Sequence, residues 1–122
     1  LALKEDLTPL ENLRADAAVA GRPLSAADAL KALAQLGLRG REHLPVRVLS
    51  QGQKRRTALA RLLVSTAKLW VLDEPFVALD TAAQHVLSDV INQHLANQGM
   101  VLLTSHQALT LAGHGASYRL TA

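Results

Sequence analysis

The chain has 122 residues, of which 49% are hydrophobic and 2% aromatic, and a formal net charge of +3. This length holds one small domain or part of a larger one, and a core of Leu, Ala and Val favours helices and short strands. The absence of cysteine excludes disulfide scaffolds, thiolate zinc sites and cysteine nucleophiles. No apolar run reaches the roughly 18–20 residues of a membrane-spanning helix, and no signal-peptide pattern is present.

The first half of the chain predicts helices. The segment Thr8–Glu11 combines a good N-cap, a proline at the first helical position and a glutamate that can close a capping box. This helix is expected to end at Gly21. A second helix is predicted to begin at Ser25 and stop at Gly37, and residues 38–49 have the breakers of an irregular segment.

Two further helices are predicted in the second half. Ser50 and Gln53 form the S-x-x-Q version of the capping box, so a third helix begins there. Thr81 and Gln84 are expected to cap a fourth helix, which Gly99 closes.

Short apolar runs separate and follow these helices. Leu69–Leu72 and Met100–Thr104 are predicted to be strands buried on both faces, as in a parallel sheet. A short helix near residues 107–111 and a last strand near 117–120 complete the pattern. This alternation predicts a parallel α/β sheet with right-handed crossovers.

Basic residues are concentrated in one segment. Seven of the 13 lie between residues 39 and 61, where Glu42 is the single acid. The surplus suits a nearby anion, but composition alone favours a solvated helix face. Nucleic-acid binding is disfavoured because no aromatic residues interleave with the basic ones. Three of these residues are expected to be exposed, with at most a supporting electrostatic role: Lys54, Arg55 and Arg56.

Polar residues follow both predicted strands. Asp73 and Glu74 come directly after the first strand, and Ser105 and His106 follow the second. In parallel sheets, ligands bind at the carboxyl ends of the strands. A carboxylate there suits Mg²⁺, a second one can polarise water, and a histidine can stabilise phosphate charge. The plainer alternatives are a turn or helix cap for the acids and a surface position for the histidine.

The start of the third helix is a second candidate site. Its unpaired amides and positive dipole end bind anions, and Gly52 permits close approach of a ligand. Ser50 can donate its hydroxyl. An ordinary capping box is the alternative.

Taken in order, the motifs resemble those of the nucleotide-binding subunits of ATP-binding-cassette (ABC) proteins. Leu49–Gln53 is similar to the signature motif, with Gln51 where many relatives have glycine. Trp70–Glu74 is similar to the Walker B strand, and Ala78–Asp80 to the D-loop. His106 occupies the position of the switch histidine.

The resemblance covers the whole chain and implies an α/β fold, the C-terminal part of a P-loop NTPase. Residues 1–48 would form most of the helical subdomain, and 49–122 the signature helix and the C-terminal half of the RecA-like core with a partial parallel sheet. No glycine precedes a lysine, so the G-x-x-x-x-G-K-[S/T] phosphate loop is absent. We therefore expect a fragment that begins after the Q-loop region, with the natural N-terminus upstream of Leu1, and no tight ATP binding by the fragment alone.

The resemblance also implies roles in ATP hydrolysis between two head-to-tail subunits. Asp73 would hold Mg²⁺ through water, Glu74 would activate the attacking water, and His106 would hydrogen-bond the γ-phosphate. Asp80 would link the two sites. Four residues would contact ATP bound to the opposite subunit: Ser50, Gln51, Gly52 and Gln53.

Within the ABC family, the chain is similar to the ATP-binding subunits of haem exporters for cytochrome c biogenesis. Five segments carry this likeness: Leu49–Arg56, Leu69–Phe76, Leu79–Asp80, Thr104–Gln107 and Asp6–Leu13. It implies an integral membrane partner and a peripheral position on the cytoplasmic face of the inner membrane, without nucleic acid. The alternatives are a soluble, non-transport ABC ATPase and an inactive fragment. The motifs do not encode the transported substrate.

Overall fold

The computed structural model describes residues 3–104, which form four α-helices and a two-stranded sheet. The predictions for Ser105, His106, the helix near 107–111 and the strand near 117–120 lie outside the described residues. In chain order the elements are α1 (Pro9–Val19), α2 (Ala26–Gln35), a 3₁₀ turn (Val46–Val48), α3 (Gln51–Val64), β1 (Leu69–Asp73), α4 (Thr81–Ala96) and β2 (Met100–Thr104).

The capping residues predicted for the first two helices are confirmed. The Thr8 hydroxyl accepts a bond from the Glu11 amide at 3.1 Å, and the Glu11 carboxylate accepts one from the Thr8 amide at 3.0 Å. At the start of α2, the Ser25 hydroxyl accepts from the Asp28 amide at 3.1 Å. These side chains satisfy amides that a helix leaves unpaired at its start, so the local sequence sets where both helices begin.

The cap predicted for α4 is wrong by one residue. Asp80, not Thr81, is the N-cap: its backbone is extended, and its carboxylate accepts a bond from the Ala83 amide at 2.8 Å. Gln84 donates its side-chain amide to the Leu79 carbonyl at 3.1 Å instead of closing a capping box. An aspartate in the extended conformation is at least as good a cap as threonine, and its charge also suits the positive end of the helix.

The two strands pair in parallel, as predicted. The register runs from Leu69 opposite Met100 to Asp73 opposite Thr104, and α4 forms the connection between the strands. Both strands therefore end at the same edge of the sheet.

The prediction that both strands are buried on both faces is wrong. Trp70 and Leu72 are 6% and 9% exposed and join one hydrophobic cluster with Leu59 of α3 and with Leu87 and Ile91 of α4. Alternate strand residues point to opposite faces, and in the described part of the chain helices cover only one of them. The uncovered side, here called the apolar face, is 50–67% exposed and consists of Leu69, Val71, Met100 and Leu102.

We expect the 122-residue chain by itself to self-associate through the apolar face, because residues 3–104 leave contiguous apolar surface exposed on a sheet of two short strands, which favours pairing with another chain. The double substitution Val71→Lys with Leu102→Lys should convert the associated species to monomer in sedimentation velocity. Val48→Lys is the matched control, since Val48 is 61% exposed but lies outside the sheet. A monomeric unsubstituted chain would contradict this expectation.

The predicted division at residues 48 and 49 stays a prediction. The main hydrophobic cluster runs from Leu13 of α1 through Leu33 of α2 to Ile91 of α4. In residues 3–104, none of the helices combines the length and apolar character needed to cross a bilayer.

Candidate functional site

The capping box predicted at the start of α3 is confirmed. The Ser50 hydroxyl accepts a bond from the Gln53 amide at 3.1 Å, and the Gln53 side chain accepts one from the Ser50 amide at 3.0 Å. The amides of Gln51 and Gly52 have no acceptor within the helix, because the first turn of any helix leaves its amides unpaired. The capping box therefore leaves the amides of Gln51 and Gly52 without an acceptor inside the helix.

The carboxyl ends of β1 and β2 are joined by hydrogen bonds. The Thr104 hydroxyl donates to the Asp73 carboxylate at 2.6 Å, and the Glu74 amide donates to the Thr104 carbonyl at 3.1 Å. Glu74 has a φ of +48°, a conformation that few non-glycine residues adopt. The chain thus leaves the sheet sharply just after Asp73, and both acids lie at the sheet edge where sequence reasoning put them.

Arg55 connects α3 to this edge of the sheet. Its Nη2 atom donates to the carbonyl oxygen of Asp73 at 2.9 Å and also to that of Glu74. The expectation that Lys54, Arg55 and Arg56 are exposed is wrong, since all three are partly buried, and Arg55 lies against the end of β1. The acceptors are backbone carbonyls from a distant part of the chain, and no sequence pattern marks such partners.

The loop after β1 also contacts the first turn of α3. A Cβ atom built on Gly52 would lie 3.1 Å from the Ala78 carbonyl oxygen, which is tighter than ordinary contact. Ala78 has a φ of +64°, so this loop contains a second residue in the left-handed region. The glycine at position 52 thus allows the loop to pack closely against α3, while Asp80 at the loop's end caps α4.

The basic segment is largely used within the molecule. Three of its members form ion pairs with acids of the N-terminal segment and α1: Lys54 with Glu5 at 3.1 Å, Arg47 with Asp6 at 3.1 Å and Arg61 with Asp16 at 2.6 Å. These contacts explain much of the local charge surplus without an external anion.

The residues present fit a magnesium ion bound through water and phosphate. Asp73 is exposed at the sheet edge, and its bond from Thr104 uses one of two carboxylate oxygens. Among residues 3–104, no three His, Cys, Asp or Glu side chains converge as a metal cage does. Mg²⁺ typically keeps several waters and takes only one or two protein carboxylates, so a single aspartate is compatible with it.

Comparison with known proteins decides the family. A family model described as "ABC transporter" matches residues 1–77. The chain belongs to the ABC transporter family. The family membership predicted from the sequence motifs is therefore confirmed. The predicted α/β fold class is confirmed by the similarity to solved ABC cassettes.

Three similar curated proteins are named "Cytochrome c biogenesis ATP-binding export protein CcmA". The chain is 54% identical to the protein from Nitrosomonas europaea over 110 residues, covering 90% of the chain and 52% of that protein. It is 56% identical to the protein from Dechloromonas aromatica, and the match covers 90% of the chain and 54% of that protein. It is 50% identical to the protein from Methylococcus capsulatus, and the match covers 98% of the chain and 58% of that protein. The chain therefore spans about half the length of the curated relatives it matches.

Solved ABC structures share the fold. The "Putative ABC transporter (ATP-binding protein)" from Pyrococcus furiosus superposes with a TM-score of 0.74 at 25% identity, and the match covers 87% of this chain and 53% of that one. An ATP-binding cassette in a dimeric post-hydrolysis state, bound to ADP and Pi, gives a TM-score of 0.73 at 26% identity, covering 86% and 48%.

Proposed function

We propose that this chain is part of the ATP-hydrolysing subunit of an ABC transporter that exports haem for cytochrome c biogenesis. The supporting observation is the arrangement of the signature helix and the Walker B acids: the first turn of α3 and the Asp73–Glu74 edge are joined through Arg55. The identity of 50–56% to the cytochrome c biogenesis export proteins favours this transporter over other ABC ATPases. The complete protein, in this proposal, has the length of those relatives.

In this proposal the two acids divide the chemistry. Asp73 would hold a hydrated Mg²⁺, which neutralises charge on the phosphates when bound. Glu74 would accept a hydrogen bond from the attacking water and take its proton as the γ-phosphate is transferred. His106 would donate a hydrogen bond to that phosphate.

The start of α3 would act on a second nucleotide. Its free amides and dipole are suited to the γ-phosphate of ATP. As the ABC resemblance implies, that phosphate would belong to ATP bound by an identical subunit packed head to tail. The contacting residues would be Ser50, Gln51, Gly52 and Gln53, with Asp80 linking the two sites.

The proposal places the protein on the cytoplasmic face of the inner membrane, bound to an integral membrane subunit. The names of the relatives, which describe export, support a membrane partner. The helical part of the chain would contact the integral membrane subunit, as the ABC resemblance implies.

The proposal is tested with the complete protein in a strain that lacks it. Expression should restore covalent haem in c-type cytochromes, and the purified protein should hydrolyse MgATP. An ATPase that leaves haem attachment unrestored would contradict the haem-export part alone. A protein that neither binds nor hydrolyses MgATP would contradict the proposed ATPase activity itself.

Two substitutions at Ser50 separate capping from phosphate binding. Ser50→Ala should lower the free energy of unfolding by about 1 kcal/mol, because it removes the acceptor for the Gln53 amide. Ser50→Asp should keep the cap and thus the stability, yet its negative charge should oppose a phosphate at the same helix end. We expect chemical denaturation to distinguish only Ser50→Ala from the unsubstituted protein, and ATPase assays to show loss in Ser50→Asp. Full ATPase activity in Ser50→Asp would contradict phosphate binding at this turn.

A further inference from the structure

The backbone of Glu74 is held on both sides, at its amide and at its carbonyl. Its amide donates to the Thr104 carbonyl at 3.1 Å and to the Thr104 hydroxyl at 3.2 Å, which fixes it to β2. Its carbonyl accepts from the Arg55 guanidinium, which links it to α3, and from the Val77 amide at 3.2 Å within the following turn. The same guanidinium nitrogen donates to the Asp73 carbonyl at 2.9 Å, so α3 holds two consecutive peptides at the end of β1.

This hold matters because the backbone at Glu74 is not in a relaxed conformation. A φ of +48° costs a non-glycine residue free energy and persists only where its surroundings enforce it. Without the Arg55 bonds, Thr104 still anchors the Glu74 amide and the Val77 amide still donates to the Glu74 carbonyl, but both carbonyls lose their link to α3. The Asp73–Glu74 peptide is then held only through its amide, and a rotation of that peptide changes the direction in which the Glu74 side chain leaves the backbone.

Arginine is suited to this task. Its planar guanidinium stays protonated at all physiological pH values and presents several donors in a fixed geometry. Arg55 also lies on the same rigid helix as Ser50, about 7.5 Å further along the axis at 1.5 Å per residue. A displacement of the start of α3 is therefore passed directly to the carbonyls of Asp73 and Glu74.

We propose that Arg55 is a positioning residue for ATP hydrolysis, which orients the Glu74 carboxylate by holding its backbone and couples it to the start of α3. This inference rests on the proposed ATPase function. Arg55 touches neither nucleotide nor water in this role. The start of α3 would contact the nucleotide of the facing subunit, whereas Glu74 would act on the nucleotide of its own subunit. Through Arg55, the first nucleotide thereby influences hydrolysis of the second.

The test compares three variants of the complete protein by steady-state MgATP hydrolysis. Arg55→Gln should lower kcat about 10²-fold, the order of loss that a small misplacement of a catalytic group produces, with KM unchanged within about twofold. Arg55→Lys should recover part of kcat, because an ammonium can still donate to both carbonyls. Arg14→Gln is the matched control: its guanidinium also donates to a backbone carbonyl, that of Leu24 at 3.0 Å, far from the site.

Three results would overturn the inference: unchanged kcat in Arg55→Gln, a rise in KM equal to the loss in kcat, or an equal loss in Arg14→Gln. If Arg55→Gln fails to fold, Arg55→Lys decides, and full kcat in that variant with unchanged melting temperature would contradict a role for the guanidinium geometry.

Hydrogen exchange separates this inference from the proposed function. The amides of Glu74 and of residues 76–79 should exchange faster in Arg55→Gln than in the unsubstituted protein, whether or not ATP is hydrolysed. An inactive unsubstituted protein would refute the ATPase proposal and with it the catalytic purpose of Arg55, while the exchange result would still report whether Arg55 holds the loop. An active protein with unchanged exchange and kcat in Arg55→Gln would refute the Arg55 inference alone.

Discussion

Replacing Glu74 by glutamine in the complete protein should lower the kcat of ATP hydrolysis by about 10²–10⁴-fold, the usual contribution of a positioned general base. Glutamine has nearly the same size as glutamate but cannot accept a proton from the attacking water. The backbone bonds at this position, from its amide to Thr104 and from Arg55 to its carbonyl, do not involve the side-chain carboxylate. The substitution should therefore leave the fold and MgATP affinity nearly unchanged.

Affinity and turnover must be measured on the same preparation. Titration of MgATP by calorimetry should give a Kd within a few-fold of the unsubstituted protein, and kcat should fall as stated. Asp89→Asn is a suitable control, since Asp89 is an exposed acid of α4 outside the sheet edge. A loss of affinity as large as the loss of kcat would assign Glu74 a structural role instead.

Replacing Leu33 by alanine should lower the free energy of unfolding by about 2–5 kcal/mol, the range for a fully buried leucine. Leu33 of α2 has 0% exposure and belongs to the cluster that also contains Leu13 and Leu59. The substitution removes apolar contacts and leaves a cavity that the surrounding helices fill only in part. Against a total stability of about 5–15 kcal/mol for a typical domain, this loss is large.

Urea unfolding of the complete protein measures this loss. Leu44→Ala provides the control, because Leu44 is 41% exposed and should lose much less stability. Equal midpoints for the two variants would show that α2 does not contribute to the cooperative core.

Local chemistry made the helix starts predictable. Thr8 with Glu11 and Ser50 with Gln53 each supply a hydroxyl and a side-chain acceptor three residues apart, and both pairs form the predicted reciprocal bonds. The strand ending at Asp73 was predictable for a similar reason, since a short apolar run next to acids has few alternatives. These features depend on residues close together in the sequence, so the positions of these helix starts and of the end of β1 can be predicted from the sequence.

Contacts between distant segments were not predictable in the same way. Residues of the apolar runs look alike in sequence, yet Trp70 is 6% exposed and Val71 is 67% exposed, because burial depends on which face the helices cover. The partners of Arg55 are backbone carbonyls 18 and 19 residues away, and backbone carbonyls leave no sequence signature.

The amino-acid sequence alone determined the capping boxes, the order of helices and strands, the parallel pairing they require and the family motifs, because each follows from local periodicity or short spacing. Tertiary structure alone decided which sheet face is buried and that Arg55 joins α3 to the acids at the end of β1. Such contacts depend on how rigid elements pack in space, where the burial of many side chains together selects one arrangement from several that local sequence permits.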